Sequence, residues 1–182
     1  MFAKRVIATV VTGLVLFVFG FVYWVVNPLP YTTWNQVSDV AATQSAAAAL
    51  FPEDGLYFLP GPGNDPAAQE LLKTGPSVYL SIDHSPTSGA DPASMALGLV
   101  HNLLSALLLV WLLGSVSGLG ARLGAGALLG LVAAFVINGS EVIWWQQPLD
   151  WIIHQMVYYI LYFAIGAAVI GKIVGDPRTV SS

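Results

Sequence analysis

The sequence predicts a mainly α, integral membrane fold: a four-transmembrane-helix bundle with a small α+β extracytoplasmic domain between helices 1 and 2. Three observations predict it. Of 182 residues, 56% are hydrophobic and only 9% charged, against roughly 25% charged in an average soluble domain. Four apolar runs are each long enough to cross the roughly 30 Å of a bilayer core at about 1.5 Å per helical residue. Between the first two runs lies the only long polar region, residues 31–92.

The first run, 6–26, follows Lys4-Arg5 and ends at an aromatic, proline-rich edge, Tyr23-Trp24 and Pro28-Leu29-Pro30. A signal peptide would have an apolar core of about 7 to 15 residues ending at a small-residue cleavage site. This run is longer and no such site follows it, so it is expected to remain as an anchor. The basic pair before it is expected to keep the N-terminus in the cytoplasm.

In the polar region, Trp34, Val37, Ala41, Ala48 and Phe51 recur at roughly helical spacing, which predicts an amphipathic helix over 34–51 stopped by Pro52. Residues 55–59 read as a strand between Glu53-Asp54 and the turn-forming 60–65. Asp65 can cap a short helix to about Lys73, with Pro66 at the first position, where its missing N–H costs nothing. Gly75-Pro76 stops that helix, and 78–82 reads as a second strand. Two strands alone are marginal in water. The insertion is therefore expected to lean on the membrane helices or on another protein. Asp83-His84, before Ser85-Pro86, reads as a turn.

Asp91-Pro92 repeats the cap-then-proline signature and opens the second span, 93–113. A short connection at 114–120 leads into the third span, 119–138. A polar, aromatic loop over 139–149 then reaches Asp150, which is expected to cap the fourth span, 151–174. The predicted organisation is thus 1–27 for the cytoplasmic N-terminus and first helix, 28–92 for a periplasmic α+β insertion, 93–174 for helices 2 to 4, and 175–182 for a cytoplasmic tail.

Charge placement supports this layout independently of hydropathy. In it Lys4, Arg5, Arg122, Lys172 and Arg178 are cytoplasmic and only Lys73 is outside, as the positive-inside rule requires. Trp24, Trp34, Trp144, Trp145 and Trp151 gather at the outer interface, and Trp111 marks the inner one.

Several chemistries are excluded or disfavoured. The absence of cysteine removes disulfides, thiolate catalysis and cysteine-held metal centres. Six basic residues are too few for nucleic-acid binding. No Asp, Glu, Lys or Arg sits in the middle of a span, where ion-coupled transporters usually need one. No hydrolase, zinc-protease or phosphate-loop motif occurs. The sequence therefore reads as a non-enzyme.

Two sets of residues are candidate sites. Gly120, Gly124, Gly126 and Gly130 in the third span, and Ala164, Ala167, Ala168 and Gly171 in the fourth, place small residues where helices can approach closely, either inside the chain or against a neighbouring subunit. The second set is polar. His101 and Asn102 lie in the second span, Asn138 and Glu141 at the end of the third, and His154 and Gln155 in the fourth. His101 and His154 fall roughly 10 Å and 6 Å below their helix starts, so a shared site is open to them. Trp151, His154, Tyr158 and Tyr162 form a stripe on one helix face. His101, His154 and Tyr158 could hold a haem or a quinone-like headgroup, and His101, His154 and Glu141 a metal ion. Alternatively these groups satisfy one another or water, and no cofactor is bound.

Gly20-Phe-Val-Tyr-Trp24 with Pro28-Leu-Pro30, Gly55-Leu-Tyr-Phe-Leu-Pro60-Gly-Pro62, and Trp144-Trp145 with Pro148 resemble an uncharacterised family of small bacterial inner-membrane proteins. The resemblance implies four spans with a periplasmic insertion after the first and brings no established activity. The functional expectation is a non-catalytic accessory or assembly subunit of a larger membrane complex, respiratory or photosynthetic. Its partners would be the lipid bilayer and other integral membrane subunits.

Overall fold

The computed structural model describes residues 2–61, 65–85 and 91–175. Residues 62–64 of the expected turn at 60–65, Pro86, and the tail with Asp176 and Arg178 lie outside the described residues. Four helical stretches are long and apolar enough to cross a membrane: Phe2–Val26, Pro92–Leu113, Leu119–Trp145 and Leu149–Val174. The chain is a mainly helical membrane protein with a small two-stranded sheet.

In chain order, α1 (Phe2–Phe21) runs into one π-helical turn (Val22–Val26) and a 3-10 turn (Leu29–Thr33), followed by α2 (Val40–Leu50), β1 (Gly55–Leu59), α3 (Pro66–Thr74) and β2 (Val78–Ile82). Then come α4 (Pro92–Leu113), α5 (Leu119–Ala133), a second π-helical turn (Ala134–Asn138), α6 (Gly139–Trp145) and α7 (Leu149–Val174). These form two compact units: Met1–Trp34 with Gly89–Ser182, and Asn35–Ser88.

In the helical unit, α7 packs against α5 and against α1, while α4 packs mainly on α1 and touches α7. The consecutive helices α4 and α5 scarcely meet. Glycines explain these neighbours, because helices in lipid gain nothing from hiding apolar surface and associate by close packing. A Cβ on Gly126 would sit 2.5 Å from Ala167 Cβ, and one on Gly130 would sit 2.7 Å from Ile160 Cα. At the α1–α4 contact a Cβ on Gly13 would be 2.7 Å from Leu103 Cδ2. On the other side of α7, Gly166 admits Leu16, Leu109 and Thr12. Around that point lies the core of Ala8, Leu16, Leu109, Val110, Leu113, Tyr162, Ala167 and Ile170.

The third span differs from expectation. The predicted loop over 139–149 is instead helical through Trp145, so the span runs on through the π turn and α6. A glycine costs a helix only about 1 kcal/mol, and backbone that leaves its helix in hydrocarbon loses far more; Ser140 Oγ also donates to Ile137 O (2.7 Å). The helix ends at Gln146 in the left-handed conformation, whose N–H donates to Glu141 O. Nor does Asp150 cap α7. Pro148 occupies that position, and Asp150 Oδ1 accepts from the next N–H, that of Trp151, at 2.8 Å.

In the smaller unit, α2 is shorter than the predicted 34–51 helix because Asp39 starts it, its carboxylate accepting from Ala42 N at 2.9 Å. The strands occupy the predicted residues and pair antiparallel, Gly55 opposite Ile82 and Leu59 opposite Val78. Asp65 and Pro66 open α3 as cap and first residue. Among the described residues of this unit only Ala68 is a buried hydrophobic; Phe51 stacks obliquely on Tyr57 at 4.7 Å.

Candidate functional site

His101 and Ser105 stand one turn apart on α4 and face Tyr158, Tyr159, Tyr162 and Phe163 of α7 across a groove of about 220 Å³. Spacing of four explains why each helix contributes its residues together. Beside the groove, Tyr162 Oη donates to Asn102 Oδ1 (2.9 Å), and Asn102 Nδ2 donates to Gly98 O (2.8 Å). The half-buried amide is thereby satisfied on both sides. His101 is exposed, and its imidazole has no hydrogen-bond partner among the described residues.

Tyr158 connects this groove to an aromatic column. Its ring stacks on Phe19 of α1 at 5.4 Å, with planes 4° apart, and contacts Tyr23 and Trp24, each at 5.2 Å. Trp24 meets Trp151 at 5.7 Å, and Trp151 meets Trp34 at 5.4 Å. Trp151 and Tyr158 of the α7 stripe are therefore covered by Phe19 of α1 and by Tyr23, Trp24 and Trp34 beyond it, and such rings gain about 0.5–1.5 kcal/mol per pair beyond area burial.

The other predicted polar residues are not drawn together. His154 lies one turn before Tyr158 and does not line the groove; its backbone carbonyl accepts from Tyr23 Oη at 2.7 Å. Glu141 closes the end of α6, accepting from Gln147 Nε2 at 3.0 Å. Among the described residues no group of three or more His, Cys, Asp or Glu is placed to hold a metal ion, so His101, His154 and Glu141 do not form a ligand set. Bis-histidine haem ligation needs two imidazoles converging on one iron, and the groove offers one. Asn138 is fully buried, its side-chain amide lacking a partner among the described residues.

The small-residue faces divide. Gly126 and Gly130 of α5 are filled by Ala167, Phe163 and Ile160 of α7, and Gly171 of α7 by Leu119 and Arg122 of α5. Ala164 and Ala168 are half-buried. A Cβ on Gly120 or Gly124 would meet nothing within 4 Å.

Two features escape the sequence reading. Arg122, counted there only as a cytoplasmic charge at the start of the third span, is 1% exposed. Its Nε donates to Leu113 O (3.0 Å), and its Nη2 to Val116 O (2.6 Å) and Gly175 O (3.1 Å). It therefore caps the C-terminal ends of α4 and α7, where the helix dipoles favour a cation. In the smaller unit, His84 Nδ1 donates to Asp54 Oδ1 at 2.7 Å, and the His84 N–H donates to the same oxygen at 2.8 Å. The His84 side-chain hydrogen bond, followed by the backbone one, holds the Asp54 carboxyl below the usual carboxylate range. This pair closes the open end of the hairpin beside a cavity of about 380 Å³ lined by Gln44, Ala47, Ala48, Ser81 and Ser85. Pairing the two predicted strands antiparallel is the signal that brings Asp54 and Asp83-His84 together.

No family model, curated protein or solved structure matches the chain.

Proposed function

We propose that the chain is a non-catalytic accessory subunit of a bacterial inner-membrane complex, with both termini cytoplasmic and residues 28–92 periplasmic. The carrying observation is the notch at Gly120 and Gly124. These glycines lie one turn apart on α5, and among the described residues nothing comes within 4 Å of a Cβ added at either. Close backbone approach is what small residues give membrane helices, so the notch suits a helix of another subunit. Leucine at both positions is expected to abolish co-purification of partners from native membranes in mild detergent, with the unfolding midpoint no lower than that of wild type, because a Cβ there meets no described residue and leucine is the better helix former. Unchanged co-purification refutes this reading. The orientation rests on the clustering of basic residues, and the cysteine-free sequence makes its test direct. An impermeant maleimide on intact spheroplasts should label Lys73→Cys and spare Lys172→Cys; the reverse pattern overturns the orientation.

A second reading is favoured by His101. An imidazole within a span and without a partner among the described residues is costly in hydrocarbon, and Ser105, Tyr158, Tyr159 and Tyr162 line the groove with it. The groove suits the polar headgroup of a ring-bearing lipid of the quinone class, with its tail in the bilayer. Organic extraction of the purified protein should recover such a lipid, and His101→Ala should lose it. Recovery of none from wild type removes this reading.

A further inference from the structure

We infer that the groove between α1 and α4, at the end of the helical unit carrying Lys4 and Arg5, is a binding site for one anionic phospholipid, with Arg5 holding its phosphate. The groove measures about 230 Å³ and is lined by Phe2, Arg5, Val6, Thr9, Leu107, Val110 and Trp111. Its walls are apolar apart from Arg5 and the Thr9 hydroxyl, which is already committed to Arg5 O at 3.0 Å. An acyl chain fits such walls. Trp111 is 74% exposed and lies on the last turn of α4, where an indole belongs at the level of lipid headgroups.

Charge selects the headgroup. Lys4, Arg5, Arg122 and Lys172 gather at this end, and among the described residues the ion pairs are Lys73 with Glu70 and His84 with Asp54. None of the four basic groups has a carboxylate partner there. They are not equivalent, however. Arg122 is buried and spends its donors on three carbonyls. Arg5 makes one side-chain hydrogen bond, from Nη2 to Ser115 Oγ at 3.2 Å. Its remaining N–H groups have no partner among the described residues and can meet an oxyanion, and the guanidinium fork matches a phosphate in a bidentate way that a lysine cannot. The Ser115 contact fixes the guanidinium beside the groove and leaves that capacity in place. Phosphatidylglycerol and phosphatidylcholine present the same chains and phosphate, but the choline head adds a compensating cation. The site should therefore prefer the anionic lipid.

Native mass spectrometry of the intact chain, released from mixed micelles of dioleoyl-phosphatidylglycerol and dioleoyl-phosphatidylcholine, tests this. Wild type should retain one phosphatidylglycerol in preference to phosphatidylcholine. Arg5→Gln should lower that preference about ten-fold, the scale of a charged hydrogen-bonded contact. Arg5→Lys should recover only part of it, and Lys172→Gln should match wild type. Trp111→Ala should weaken both lipids alike, since it removes apolar contact and no charge. Helical content by circular dichroism checks that each variant is folded. Should Arg5→Gln misfold, the wild-type preference and the Arg5→Lys variant still decide. Equal retention of the two lipids by wild type overturns the proposal. So does wild-type preference in Arg5→Gln, or an equal loss in Lys172→Gln, which would indicate diffuse attraction to a basic surface.

Discussion

Replacing Gly130 by alanine adds one methyl group where the backbone of α7 lies close against α5. That methyl would stand 2.7 Å from Ile160 Cα and 2.9 Å from Tyr159 O, whereas ordinary contact begins at 3.4 Å, a deficit of 0.7 Å at the nearer atom. Both obstructing atoms are backbone, so no rotamer change relieves the clash and the two helices must separate. Overpacking of this kind costs about 1–3 kcal/mol, and the better helix propensity of alanine returns up to about 1 kcal/mol. The net expectation is a destabilisation of about 1–2 kcal/mol. Gly124→Ala, six residues away on the same helix, adds its methyl to open space and keeps only the propensity gain, so the two variants should differ by the overpacking cost, about 1–3 kcal/mol. Reversible unfolding by sodium dodecyl sulfate in mixed micelles, followed by circular dichroism, measures that difference. If the two variants unfold at the same detergent fraction, the α5–α7 contact does not rest on these glycines and the packing argument fails.

Other substitutions test other contacts by the same method. Arg122→Gln removes a cation shared by three carbonyls and should destabilise the helical unit by about 3 kcal/mol, with Lys172→Gln, exposed on α7, close to neutral. Tyr162→Phe loses the 2.9 Å hydrogen bond to Asn102 and should cost about 0.5–1 kcal/mol, as interhelical hydrogen bonds in membranes do. In the smaller unit the lowered pKa of Asp54 means that the folded state binds its proton less readily than the unfolded chain does. The contribution of the pair is then fully present above about pH 4, the ordinary aspartate range, and is lost as pH falls through the lowered value. Hydrogen exchange at the His84 amide should quicken over that acid range in wild type and show no such step in Asp54→Asn; a step surviving in Asp54→Asn would refute the assignment.

Hydropathy made the spans legible because the bilayer forces every backbone group into internal hydrogen bonds, leaving long apolar helices as the solution. The caps at Asp65 and Asp91 and the bounds of both strands were readable for a local reason: a short acid before proline, or a β-rich run between turn residues, acts within a few positions. Local reasoning failed where a longer-range demand outweighed it. The polar composition of 139–149 suggested a loop, yet the need to keep backbone bonded carries the helix to Trp145. Small residues on α5 and α7 were visible as faces, but their register was not. Gly13 and Gly166, which set the α1–α4 and α1–α7 approaches, were not among the small residues that the spacing singled out.

The polar residues show the same limit more sharply, because spacing along one helix says nothing about which helix faces it. His101 and Tyr158 share a groove while His154, one turn from Tyr158, lies outside its lining. Arg122 is the clearest case. A lone basic residue near a short connection carries the same letter whether it points to water or inward. Here the choice is decided by two helix ends far apart in sequence, at Leu113 and Gly175. Each presents carbonyls that hydrocarbon cannot solvate and that a guanidinium can satisfy together. A charge that the proposed orientation counts as cytoplasmic is thus also the group that ties α4, α5 and α7 at one end. Arg122→Lys separates the two roles: it keeps the charge, and with it the orientation read by maleimide labelling, while a single ammonium replaces the planar fork and should still destabilise the unit.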